Sequence, residues 1–332
     1  SASCVLKRLL SITPLLVYPE ICEVRRTAGR PCWLRLGSTL TVAFFFLLVG
    51  LAAMAESSVH QPAAHPPPAG DVCDYVYSVG GRDRGKTLGY VERFCVQTNT
   101  WESCEHMLVQ RGSHGCAALN GRVYVMAGGG VDSNLDSSEM WDPSTRSWQF
   151  AAKMGTERHA LAASSTDRYI YAVGGWCYGK IGSLATERYC PEADTWTRCA
   201  DLITARRLHG LAAASDGNLY VFGGASDSEW QTAAAERYIP SEDRWEALPK
   251  LPVASYASAA PAGKDVFVFL WGKHVLRYSP EENTYTKCKP LPLPEWYGFA
   301  VAAHGDRIYV LGGATKGRWS AVAFCYLPLQ DE

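Results

Sequence analysis

A glycine pair recurs along the chain at Gly80-Gly81, Gly128-Gly129, Gly174-Gly175, Gly223-Gly224 and Gly312-Gly313, with Trp271-Gly272 filling the one gap. Counted from the first residue of each pair, the steps are 48, 46, 49, 48 and 41 residues. A unit repeated at that period cannot bury its own apolar face and must stack on its copies, so the pairs constrain the architecture before any other feature does. Each pair closes a run rich in β-branched and aromatic residues: DYVYSVGG, RVYVMAGG, RYIYAVGG, NLYVFGG, DVFVFLWG and RIYVLGG. Such runs are strands whose alternating side chains meet both neighbours of a stacked sheet. The glycines allow a positive φ and a close backbone approach where a side chain would collide.

About a dozen residues later stands a second strand with an acidic residue and an aromatic: Glu92/Phe94, Glu139/Trp141, Glu187/Tyr189 and Glu236/Tyr238. Repeats five and six keep only the aromatic, at Tyr278 and Tyr326, with Leu276 and Phe324 where the acid would be. Pro143, Pro191, Pro240, Pro280 or Pro328 then opens a turn, and the next strand brings Trp148, Trp196, Trp245 or Tyr285. In the first repeat Val96 replaces the proline and Trp101 follows on schedule. The constant spacing is that of a hairpin of fixed length. The repeat ends in a strand of small residues, HGCAAL, HALAAS, HGLAAAS, YASAAP or YGFAVAA, suited to the crowded axis where sheets converge.

These residues resemble the kelch repeat, and their spacing is most similar to that of the kelch-like (BTB-kelch) proteins; ERYCP at 187–191 and ERYIP at 236–240 are the closest matches. The resemblance covers about 260 of the 332 residues, and no BTB or BACK domain is recognisable in the chain. The expected fold is all-β: a six-bladed kelch β-propeller over 71–332, with repeats near 73–107, 108–154, 155–202, 203–250, 251–290 and 291–332. Twenty-two strands are legible where a full ring needs 24: the first repeat lacks its small-residue inner strand and the sixth its outer one. Kelch-like propellers are closed by a C-terminal strand, so the chain reads as a fragment incomplete at the closing blade. The competing reading has residues 56–70 fill the gap, but HQPAAHPPPAG is a poor strand because proline cannot donate to a ladder.

Residues 1–55 read as a non-propeller segment. Its apolar run TLTVAFFFLLVGLAAMA, at 39–55, follows Arg25, Arg26, Arg30 and Arg35. That is the chemistry of a signal peptide or a short anchor, and a start at Met54 would remove it. Residues 56–70 read as a Pro-rich linker. Localisation is expected to be cytoplasmic, or secretory or membrane-bound if the run is a genuine signal or anchor. Twelve cysteines contain no Cys-x-x-Cys pair, so neither zinc nor thioredoxin-like redox chemistry is expected. Cys95 with Cys104 and Cys190 with Cys199 could face each other across hairpins; the plainer reading is that they are reduced, small apolar strand residues.

A net charge of −1 without a basic block sets nucleic acid aside. No phosphate loop, Gly-x-Ser-x-Gly elbow or His-Glu-x-x-His is present, and neither enzymatic activity nor a cofactor or metal is expected. One column of residues opens the inner strands: His114, His159, His209, Tyr256 and Tyr297. It caps the channel mouth or contacts a ligand. Just before it lie Arg111, Arg158, Arg206 and Arg207, with Ser255 and Trp296 in the same ring. The kelch-like resemblance implies that arginines here line a partner pocket, where guanidinium groups grip carboxylates at two points. Aromatic residues opposite them suit an acidic or mixed peptide. The alternative is that these arginines only keep the face soluble. The loops after the glycine pairs strand Trp176, Tyr178, Trp230 and Trp319 as further contact candidates.

The expected function is therefore protein binding, as the substrate-recognition propeller of a cullin-RING ubiquitin ligase adaptor, with cullin a partner only through a BTB domain outside this chain. A secreted or anchored kelch protein is the alternative. A galactose-oxidase-like copper enzyme ranks last.

Overall fold

The computed structural model describes residues 50–56 and 74–330, apart from 84–85, 132, 178–182, 227, 294, 316–317, 320–321 and 329. The strands form six antiparallel blades, five of four strands and one of three. Blade 1 is β1 (Gly50–Glu56), β2 (Asp74–Asp83), β3 (Lys86–Cys95) and β4 (Thr100–Cys104), paired in that order. The inner strands of the other blades are Gly115–Leu119, Ala162–Ser165, Gly210–Ala213, Ala257–Ala262 and Ala300–His304. Each packs beside the next, and the last beside β1, so the ring closes.

This closure corrects one expectation. Among the described residues the first inner strand is Gly50–Glu56, the small-residue end of the apolar run rather than the Pro-rich stretch after it, with Ala52 opposite Tyr77 and Ala55 opposite Tyr75. The rest of the run, at 39–49, lies outside the described residues. Among the described residues no helix is long and apolar enough to cross a membrane. Blade 6 consists of Ala300–His304, Arg307–Leu311 and Ala323–Tyr326. A small sheet of Trp296–Tyr297, Ala314–Thr315 and Arg318–Trp319 accompanies it.

The outer-strand aromatics join blade to blade. Trp148, Trp196 and Trp245 stack on Trp141, Tyr189 and Tyr238 of their own hairpins, with centroids 5.6, 5.2 and 5.1 Å apart. Their indole N–H groups donate to Glu105 O, Ala152 O and Ala200 O of the preceding blade. Tyr285 does the same through its hydroxyl to Pro249 O, at 2.8 Å. Trp101 stacks on Phe94 in blade 1.

The glycine register differs from the sequence reading in one repeat. The second residue of each pair donates to the connection entering the next blade: Gly81 N to Arg111 O, Gly128 N to Arg158 O, Gly175 N to Arg206 O and Gly224 N to Ser255 O. In blade 2 the structural pair is thus Ala127-Gly128 rather than Gly128-Gly129, and Ala127 takes φ +57° where Gly80 and Gly174 take +58° and +60°. A packing difference explains the alanine. A Cβ on Gly80 or Gly174 would lie 3.0 or 2.6 Å from the imidazole Cε1 of His114 or His209, whereas Ala127 shares its core cluster with Leu161. Gly174→Ala should therefore cost more than the about 1–2 kcal/mol of the left-handed backbone alone, since its Cβ would also meet Arg206 O at 2.6 Å. Ala127→Gly should leave the midpoint of urea unfolding nearly unchanged; equal losses in the two variants would refute this account.

The hairpin cysteines do not face each other. Cys95 is opposite Thr100, Cys104 opposite Val91 and Cys190 opposite Thr195. The eight described cysteines form no disulfide with one another.

Candidate functional site

The ring of arginines expected to grip a partner divides into two sets. Arg111, Arg158 and Arg206 are fully buried and paired with Glu139, Glu187 and Glu236 on the third strands of their own blades. Arg206 Nη1 also donates to Gly223 O and Ala234 O, and Arg111 Nη1 to Ala127 O and Ser137 O. The glutamates accept from the connection entering the blade: Glu139 from Leu108 N and Val109 N, Glu187 from Gly155 N, and Glu236 from Ile203 N and Thr204 N. Each Arg–Glu pair thus ties an inter-blade connection to its blade, and all three arginines are sealed from solvent. Burial pushes all three arginines down, Arg158 to about 10, against the pull of the facing carboxylates.

Trp296, expected in the binding ring, is likewise fully buried; it stacks edge-on against Phe324 at 5.3 Å and donates Nε1–H to Gly312 O. Blade 6 therefore fills with two aromatic rings the place that blades 2 to 4 fill with an ion pair. The acid missing from the sixth repeat and the missing arginine are one change.

The histidine column also splits. His114 and His209 are buried between blades, beside Gly80 and Gly174 respectively, and border a cavity of about 120 Å³ on the axis. Burial, reinforced by Arg111 and Arg206 respectively, pushes both imidazoles down to about 3, so they are neutral. His159, Arg207, Tyr256 and Tyr297 belong to a different layer, at the mouth. There His159 and Trp176 exchange backbone hydrogen bonds, as do Arg207 and Ala225, and Trp271 N donates to Tyr256 O.

At this mouth His159 Nδ1 lies 2.6 Å from Asn134 Oδ1, and its ring meets Trp176 edge-on at 4.7 Å. Burial, with Arg82 and Arg207 nearby, pushes His159 down to about 4. The neutral ring donates Nδ1–H to Asn134, and Nε2 is left as an acceptor. Across the mouth Tyr256, Trp271 and Tyr297 form an aromatic run, with centroids 4.8 and 6.4 Å apart. Tyr256 is buried with Ala160, Leu208 and Ala225 and makes the floor, while Tyr297 and Trp271 are half-buried above it. The mouth thus carries Arg82 and Arg207 near His159 on the side of blades 1 to 4 and aromatic rings on the side of blades 5 and 6.

Three members escaped the sequence reading. Arg82 comes from blade 1 and lies over Gly112 and Gly129, where a Cβ would meet its Cγ at 2.5 Å and its Nη2 at 2.4 Å. Gly129, expected as a structural repeat residue, thus serves as a bare seat for a side chain from the neighbouring blade. Asn134 sits in a polar loop without a repeated position. Trp271 occupies the broken glycine pair, and that break was its signal. Of the stranded loop aromatics, Trp176 packs on His159, Trp230 is 69% exposed, Trp319 has only its backbone strand described, and Tyr178 lies outside the described residues. Among the described residues no group of three His, Cys, Asp or Glu side chains is placed to hold a metal ion.

The kelch motif matches residues 72–108, 110–155, 157–203 and 295–332, together half of the chain. The chain belongs to the kelch-repeat family. Kelch-like protein 15 of Danio rerio is 29% identical over 166 residues, covering 43% of this chain and 27% of that protein. Kelch-like protein 38 of Rattus norvegicus is 25% identical over 271 residues, 77% of this chain and 46% of the relative. An F-box/kelch-repeat protein of Arabidopsis thaliana is 34% identical over 100 residues, 30% of this chain and 27% of the relative. The chain thus spans less than half the length of these relatives. Kelch repeats two to four carry the buried Arg–Glu pair, whereas repeats five and six, which lack it, supply the aromatic side of the mouth.

Proposed function

We propose that this kelch propeller is a non-catalytic protein-interaction module that holds a peptide segment of its partner at the channel mouth. The observation that carries the reading is the make-up of the mouth: Arg82 and Arg207 lie near the neutral His159, and Tyr256, Trp271 and Tyr297 form its aromatic run. Cations beside half-buried aromatics are the residue types that concentrate binding energy, and the buried Arg–Glu pairs hold the frame still. The resemblance to kelch-like proteins extends the proposal to substrate recognition in a cytoplasmic cullin-RING ubiquitin ligase, with cullin bound through a BTB domain encoded beside this propeller.

Quantitative affinity purification of the full transcript product tests both levels. Arg207→Glu with Tyr297→Ala should deplete the captured substrate about tenfold or more. Phe150→Ala, on an outer strand and 64% exposed, should not. Cullin recovery should be equal in all forms. A substrate set indifferent to the mouth variant would reject the binding site, and a full product without cullin would reject the ligase role.

A further inference from the structure

Blade 1 departs from its siblings in length: β2 and β3 run ten residues each, against four to six for the corresponding strands of the other blades. A register shift between Val79 and Gly81 carries the hairpin past the glycine pair, so that Gly81 pairs with Leu88, Arg82 with Thr87 and Asp83 with Lys86. This extension, the connection into blade 2 and the loop after blade 2's second strand enclose a notch of about 550 Å³. A cavity of that size accepts several side chains of a peptide.

The lining is one-sided in charge. Arg82, Lys86, Tyr90, His106, Gln110 and Val131 border the notch, with Thr87, Leu88, Gly89 and Gly130 between them, and among the described residues no carboxylate lines it. Among the described residues neither Arg82 nor Lys86 makes an ion pair, and Arg82 Nε is buried without a hydrogen-bond partner. Tyr90 is 59% exposed and its ring stands edge-on to His106 at 4.8 Å; Val131 is 79% exposed. Apolar side chains left in water beside cations that make no ion pair among the described residues are characteristic of a surface that is covered in use.

We propose that this notch is a second subsite for the protein partner, taking an acidic segment in which a carboxylate meets Arg82 and Lys86 and an adjacent apolar side chain covers Tyr90 and Val131. The inference rests on the reading of the propeller as a partner-binding module and adds a site that only blade 1 can form. A carboxylate fits better than a phosphate because the nearby backbone donors are already used: Met107 N bonds Gly89 O, Arg111 N bonds Leu88 O and Gly130 N bonds Ser133 O. The donors left are side chains, a guanidinium fork, an ammonium and an amide, which suit a planar two-oxygen acceptor.

The test uses fluorescence polarisation on the full chain, with labelled nonapeptide pools centred on Glu-Leu, phosphoserine-Leu or Lys-Leu as probes. The Glu-Leu pool should bind wild-type and Phe150→Ala proteins alike and weaken about tenfold in Lys86→Glu and in Tyr90→Ala, more than in Tyr297→Ala. Both notch residues are exposed, so neither change threatens the fold. Loss of binding in Tyr297→Ala but not in Lys86→Glu would place the peptide at the mouth, overturning the notch while leaving the partner-binding reading intact. Tighter binding of the phosphoserine pool, or no binding of the Glu-Leu pool to wild type, would also overturn the inference.

Discussion

Arg206→Leu should destabilise the propeller by about 3–5 kcal/mol, the cost of stranding a buried carboxylate. Glu236 is almost wholly buried, with no solvent to replace the lost guanidinium. Gly223 O would lose its Arg206 donor as well, and Ala234 O would keep only Gly223 N. The double variant Arg206→Leu/Glu236→Leu should recover part of the loss, because the desolvation penalty of both charges disappears while their attraction is forfeited. Recovery would be incomplete, since Ile203 N and Thr204 N would lose their acceptor. Urea unfolding followed by tryptophan fluorescence measures all three proteins. A single variant within about 1 kcal/mol of wild type would show that the pair is not the tie described here.

Acid should loosen the fold well before the carboxylates titrate. His114 and His209 protonate near pH 6.5 when unfolded, but in the folded protein only near pH 3. Between those values the unfolded chain binds the extra protons, so stability present at neutral pH is lost as pH falls, by about 1.4 kcal/mol per unit for each histidine. His159, held near 4, adds to the same trend. Asp142, Asp216 and Asp243 are themselves held low by hydrogen bonds, which act against burial at the first two, so their contribution begins only below about pH 5. The interval from pH 6.5 to 5 isolates the histidines. His209→Leu copies Leu161 of the neighbouring blade and should flatten the slope there even if it lowers the absolute stability. An unchanged slope would mean that His209 is solvated in the folded protein.

These two predictions rest on residues that looked alike in the sequence and proved to do different work. Arg206 and Arg207 are adjacent; one is sealed beside Glu236 and the other stands at the mouth. Nothing in a linear pattern separates them, because which side of the connection faces the core depends on how the backbone turns into the inner strand. His114 and His159 were read as one column for the same reason. Ser113 and Ala160 mark the true register: both take φ +55°, the turn at which each connection enters its strand. That places His114 one residue after the turn and His159 one before it.

The sequence by itself determined the kelch repeat, the number of blades, the strand that leads into each glycine pair and the hairpin aromatics, since these depend on local propensity and on spacing along one chain. Only the tertiary structure decided which segment supplies the first inner strand, which arginines are buried and which residues meet at the mouth. Arg82 reaches that mouth from blade 1 across Gly112 and Gly129 of blade 2, and Trp271 reaches it from a broken repeat. Such juxtapositions arise when blades curve into a ring, and pairwise contact between distant segments leaves no periodic trace in the sequence.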